Sequence, residues 1–267
     1  MAPQEGKPGI PEKSVCGARP EMGRLYIDLG NSRLKWMRDA APMQALAYCG
    51  NRLHGQLTSV WYDEAPPEQV WVASVADQVA YDNLLNWLAD CWGLVPHVMA
   101  VSAVDCGLTC GYPEPRQLGV DRWAAMIAAY AASPDGVCVV DCGTAVTLDA
   151  VDGQGRHLGG YILPGVSAMQ RVLLQETAIE PESGVIDPGR EWGNSTSSCI
   201  ALGTCKSIAA LIARSVEQMQ AAGICNPGLV LTGGGSGLIE PFMQIDYQRR
   251  DALVLEGIKL YAEEKSR

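Results

Sequence analysis

An aspartate that ends an apolar run and is followed by glycine and small polar residues occurs twice in this chain, as Asp28-Leu29-Gly30-Asn31-Ser32 and as Asp141-Cys142-Gly143-Thr144. Glycine lets backbone N–H groups approach an anion closely, and Asn31 or Thr144 adds a side-chain donor, so the pattern suits a phosphate. The carboxylate can hold a cation, Mg²⁺ or K⁺, or its water. A single copy is also an ordinary turn, but two copies 113 positions apart point to an internal duplication. Lys35 follows the first copy closely enough to reach a phosphate as a point charge. Gly119-Val120-Asp121-Arg122 sets a carboxylate beside a guanidinium, where Asp121 can act as general base and Arg122 can clamp an anion. An acid in that place also reads as the N-cap of the helix that follows. A third glycine loop, Thr232-Gly233-Gly234-Gly235-Ser236-Gly237, follows the apolar run Leu229-Val230-Leu231. It reads either as a cradle for a phosphate or nucleoside or as a flexible connector. Phosphoryl transfer to an alcohol needs little more than these groups, because positioning and charge neutralisation dominate it.

Such loops need elements to hold them. Leu25-Tyr26-Ile27 reads as a strand running into Asp28, and Arg33-Leu34-Lys35-Trp36-Met37 alternates like a half-buried strand, so the two form a hairpin. Val70 to Val75 predicts a buried strand, Asp77 to Trp92 a helix, and Val98 to Val101 another strand. An Ala-rich helix is predicted over Trp123 to Ala132. After the breaker Ser133-Pro134-Asp135-Gly136 the pattern restarts, with strands over Val137 to Val140, Ala145 to Val151 and His157 to Leu163. Two halves result, 25–133 and 134–267. Residues 1–24, rich in Pro, Gly and charge, read as a disordered extension.

Composition narrows the partners. The 267 residues, 48% of them hydrophobic, suffice for a large core. Lys plus Arg number 20 against 30 Asp plus Glu, and a net charge of −10 argues against nucleic acid and against a polybasic membrane contact. No run approaches the roughly 20 apolar residues of a membrane helix, and no targeting signal is legible. Ten cysteines form no Cys-x-x-Cys pair, and three histidines form no metal-ligand pattern. Reduced thiols in the cytoplasm are therefore expected. The tryptophans at 61, 71, 87, 92, 123 and 192 read as core or interface packing.

Taken in order, the motifs resemble those of the type III pantothenate kinases, within the acetate kinase, sugar kinase, Hsp70 and actin superfamily. The resemblance rests on Asp28 to Lys35, on Tyr112-x-x-Pro115-x-x-Leu118-Gly119-Val120-Asp121-Arg122, and on Asp141-Cys142-Gly143-Thr144-Ala145-Val146-Thr147. It continues through Gly159-Gly160-Tyr161-Ile162-Leu163-Pro164-Gly165, Asn194-Ser195-Thr196, Thr232-Gly233-Gly234 and Leu253-Val254-Leu255-Glu256-Gly257.

The resemblance implies an α/β fold of two duplicated actin-like (ribonuclease H-like) halves, each a mixed sheet flanked by helices, with a cleft between them. It implies ATP-dependent phosphorylation of the primary alcohol of pantothenate, the first step toward coenzyme A. By position, Asp28, Leu29, Gly30, Asn31, Ser32, Arg33, Leu34 and Lys35 would form the first phosphate loop, and Thr144 would face the ATP phosphates. Asp121 would be the base, and Tyr112, Gly119, Val120, Asp121, Arg122 and Thr196 would hold pantothenate, Arg122 at its carboxylate. Asp141 would ligate K⁺ or NH₄⁺, Mg²⁺ would arrive with ATP, and the chain would act as a homodimer. Ser32 stands where many members have Thr, and Val146 where many have Thr or Ile. Two alternatives remain at this stage, a kinase of another small alcohol and a non-catalytic accessory factor for transcription.

Overall fold

The computed structural model describes residues 23–39, 41–176 and 187–267, so nearly all of the predicted N-terminal extension lies outside the described residues. The first hairpin forms as its alternation predicts. β1 (Arg24–Leu29) pairs antiparallel with β2 (Arg33–Arg38), and Asp28 lies directly opposite Lys35. β3 (Gln44–Ala47) adds to β2, and α1 (Leu53–Trp61) leads to β4 (Gln69–Ser74), which runs parallel to β1. α2 (Gln78–Trp87) starts where the Asp77 side chain accepts from the Ala80 N–H at 2.8 Å. A π turn over Leu88–Trp92 completes the helical stretch, and the strand expected at Val98 to Val101 is the two-residue β5 (His97–Val98). A small hairpin, β6 (Val104–Asp105) and β7 (Leu108–Thr109), precedes α3 (Val120–Ala132).

The second half opens as the first does, with β8 (Gly136–Cys142), β9 (Ala145–Asp152) and β10 (His157–Pro164). There follow α4 (Val166–Glu176), α5 (Thr196–Ala221), β11 (Gly228–Thr232), α6 (Ser236–Ile239), β12 (Gln248–Arg249) and α7 (Leu253–Lys265). The sheet orders are β3-β2-β1-β4-β5 and β10-β9-β8-β11-β12. In each, the first two pairings are antiparallel and the last two parallel. The duplication read from two loops is therefore a duplication of whole sheets. The central strands β1 and β8 each carry their aspartate one residue before the strand ends.

Each sheet buries its outer face under its own helices. On the first, Leu25, Ile27, Leu29 and Leu34 pack against Leu53, Leu57, Leu84 and Trp87. Trp36, Trp61, Trp87 and Trp92 meet there with ring centroids 4.8 to 5.3 Å apart, so the first three are core and the half-buried Trp92 packs against them. Trp192, in contrast, is exposed. On the second sheet, Val140, Leu148 and Leu231 pack against Cys205, Ile208 and Ile212 of α5. By length and composition α5 passes as a membrane span, contrary to the sequence expectation that no such run exists. Its larger buried apolar residues, Leu202, Cys205, Ile208, Ile212, Val216 and Met219, recur at the three- to four-residue spacing of a helix lying on a core.

The inner faces of both sheets share one core, filled by α3 and α7. Here the division at Ser133 to Gly136 is crossed, because α7 packs on α3 and also on β1 and β4. The crossing is close at Gly257, where a Cβ would lie 1.8 Å from the Ala124 carbonyl oxygen. Gly257→Ala should therefore lower stability by about 1–3 kcal/mol despite alanine's better helix propensity. Denaturant unfolding checks this, and an unchanged or raised midpoint would show that the two helices separate freely.

Candidate active site

The antiparallel register that pairs β1 with β2 sets Lys35 across from Asp28, and the Lys35 Nζ lies 3.7 Å from Asp28 Oδ2. Asp28 is only 7% exposed. Burial pushes its carboxyl up to about 7; Lys35 opposes the shift, and the charges of Asp121 and Asp141 add to it. Burial also raises Asp141, again against Lys35 and with Asp121 adding to the shift. Three carboxyls from β1, α3 and β8 thus share one low-dielectric space with a single lysine. That is a crowd of negative charge suited to cations and to the phosphates they carry.

Around it the two hairpin turns face each other. Ser32 Oγ and Thr144 Oγ1 lie 3.2 Å apart, joining loops 112 positions apart in sequence. The Gly30 N–H donates to the Arg33 carbonyl at 3.0 Å, the Gly143 N–H donates to the Ala145 carbonyl at 2.9 Å, and the Tyr48 hydroxyl donates to the Gly30 carbonyl. Sequence reasoning missed Tyr48, which pins the first loop from β3's end of the sheet. The third glycine loop packs on the second. Gly235 N–H donates to the Cys142 carbonyl at 2.8 Å, and Gly233 adopts φ +90°, where a Cβ would lie 2.3 Å from Asp141 Oδ1. That position demands glycine, so the Thr232 to Gly237 stretch is a built wall of the cleft and not a loose connector. Asp141 Oδ1 is itself buried with no hydrogen-bond partner. An unpaired buried carboxylate oxygen in a cradle closed by glycine fits a cation with oxygen ligands.

Asn31, Ser32, Arg33 and Thr144 are exposed along the cleft, as a phosphate loop requires. Leu29 and Leu34 are fully buried in the outer core, so they support the loop from behind and can offer a nucleotide only backbone. Gly119 is the N-cap of α3, and Asp121 sits within the first turn. The plain capping role for Asp121 is thus corrected. Its Oδ1 accepts from the Arg122 N–H at 2.8 Å, and burial still raises its carboxyl against that bond and the Arg122 charge.

Arg122 is 7% exposed and spans to the second sheet. Its Nε and Nη2 donate to Asp149 Oδ2 and Oδ1 at 2.8 and 2.6 Å, and its Nη1 donates to the Tyr112 hydroxyl at 3.2 Å. Burial disfavours its charge, but the Asp149 carboxylate more than restores it, so its pKa is raised. His157 Nε2 lies 3.0 Å from Asp149 Oδ1, and the Tyr112 and His157 rings stack at 5.7 Å. Asp149 and His157 escaped the sequence reading, although a signal existed. Asp149 is two residues before Val151 and paired with Val139, both core residues of the inner face, and an acid aimed at a core has to meet a cation. Thr196 is exposed at the first position of α5, after the Ser195 N-cap, and among the described residues no hydrogen bond ties it to Tyr112, Asp121 or Arg122.

Two duplicated actin-like halves that enclose carboxylates and glycine turns are the architecture of the actin-like phosphotransferases. A Campylobacter jejuni protein described as a Baf family transcriptional activator superposes with a TM-score of 0.60 at 19% identity, over 91% of this chain and 98% of its own. The activator of 2-hydroxyisocaproyl-CoA dehydratase from Clostridium difficile, with bound ADPNP, superposes at 0.52 and 12% identity over 92% and 96%. Both show the fold. The profile of the type III pantothenate kinases matches residues 24–218. The type III pantothenate kinase of Halorhodospira halophila is 34% identical over 263 residues, covering 91% of this chain and 99% of that relative. The chain belongs to the type III pantothenate kinase family.

Proposed function

We propose that this kinase moves the γ-phosphoryl group of ATP to the primary hydroxyl of pantothenate, giving 4'-phosphopantothenate and ADP at the start of coenzyme A synthesis. The observation that carries the reading is the meeting of Asp28, Asp121, Asp141 and Lys35 in one cleft between the two glycine turns. In this reading Asp28 to Lys35 and Thr144 receive the phosphates, with Lys35 and Arg33 as cations and Gly30 and Gly143 as close backbone. Asp121 takes the proton as the acceptor oxygen bonds to phosphorus and the bond to the departing ADP oxygen breaks. Its raised pKa brings it nearer the working pH than an ordinary aspartate and so makes it a better base. Asp141 would hold a monovalent cation, K⁺ or NH₄⁺, and Asp28 would meet the Mg²⁺ that accompanies ATP. Bound there, the cations neutralise charge on the phosphates. Tyr112, Gly119, Val120 and Arg122 form the pantothenate end.

A homodimer is part of the proposal. The outer strand β10 exposes Leu158, Tyr161 and Ile162, and α4 exposes Val172 and Leu173, apolar surface that a second copy would cover. In this reading Thr196, exposed at the first position of α5, completes the pantothenate pocket only in the dimer. The nine described cysteines are all free, which fits the cytoplasm.

A coupled ADP-release assay with ATP, Mg²⁺ and pantothenate, with and without K⁺, tests the reading. Pantothenate-dependent turnover that rises with K⁺ supports both acceptor and cation site. A folded protein with no such turnover under either condition would overturn the acceptor.

A further inference from the structure

We infer that Asp149, a strand residue of the second half, is the positioning residue that aims the Arg122 guanidinium at the carboxylate of the acceptor. The inference rests on the pantothenate reading above and adds a residue that lies outside every motif the sequence displays. Asp149 is 2% exposed and lies on β9, across the inner core from α3, so its charge exists only to serve the groups around it. It accepts from both Nε and Nη2 of Arg122, and Tyr112 accepts from Nη1. Three of the five guanidinium N–H groups are thereby committed, leaving one on Nη1 and one on Nη2 for an incoming anion. A bidentate partner fixes the plane of the guanidinium as well as its position, which a single contact would not do. His157 Nε2 also meets Asp149 at Oδ1, and its ring stacks on Tyr112, so Tyr112, Arg122, Asp149 and His157 form one connected cluster. Arg122 thus arrives rigid and half-satisfied, selecting an acceptor with a carboxylate at the right distance from its reacting hydroxyl.

The experiment compares Asp149→Asn with the unaltered chain on pantothenate and on its alcohol analogue, in which the carboxylate is replaced by a hydroxymethyl group. The KM for pantothenate is expected to rise on the order of 10–10²-fold, with kcat and the KM for ATP within about threefold and the analogue's KM unchanged. An unchanged pantothenate KM overturns the inference. So does an equal loss on the analogue and on ATP, which would reveal a packing role alone. If Asp149→Asn does not fold, Asp149→Glu keeps the charge and displaces the guanidinium by one methylene. The same selective KM rise is then expected, and its absence overturns the inference. Failure of the pantothenate reading itself would show separately, as an unaltered chain without pantothenate-dependent turnover.

Discussion

Asp121→Asn is expected to fold normally and to lose turnover by on the order of 10²–10⁴, the span of a lost general base. The amide keeps an oxygen for the Arg122 N–H, and it removes a charge whose burial is unfavourable, so the melting temperature should hold or rise. The KM for ATP should move little, because the proposed phosphate site is at the hairpin turns and not at this helix end. Steady-state kinetics with a thermal melt check both halves of the statement. A rate within threefold of the parent enzyme would remove Asp121 from the proton path.

The second large effect is at Asp28, and it has opposite signs in stability and activity. The folded carboxyl binds its proton up to about pH 7, far above the ordinary aspartate value, so the folded state is favoured when the group is protonated. Stability therefore falls as pH rises from about 4 to about 7, the interval between the unfolded and folded values. Asp28→Asn removes that cost. Above pH 7 the ligand-free variant should be more stable than the parent by about 2–4 kcal/mol, and the two should converge toward pH 4. Turnover should fall by on the order of 10²–10³, as for the loss of one preorganised electrostatic contact. Thermal melts from pH 5 to 8.5 without ligand, beside initial rates, give both readings. A variant no more stable than the parent at pH 8 would show that the three carboxyls do not strain the empty cleft. The trade is the expected one for a charged site shaped around a ligand.

Much of this site was legible because its signals are local. The short apolar runs of Leu25 to Ile27 and Val137 to Val140 named the central strands, and Asp-x-Gly at their ends named the turns, since both are carried by a few neighbouring residues. Asp121 and Lys35 were found through neighbours in sequence as well. Asp149, His157 and Tyr48 were not, because each is defined by a partner 8 to 27 positions away. Leu29 and Leu34 show the converse: they belong to the motif, but their side chains turn into the core and leave only backbone toward the cleft.

The amino-acid sequence by itself determined the central strands, their opening hairpins, the glycine turns and the acids that end those strands, because short apolar runs and backbone freedom specify such features. Only the tertiary structure decided that α7 returns to the first sheet through the close crossing at Gly257, and that Arg122 reaches Asp149 through the inner core. It also decided that Asp28 and Asp141 share Lys35 and that Asp121 comes close enough to raise both. These are contacts between distant segments, set by how helices fill the space between sheets and by the need of every buried charge for a partner.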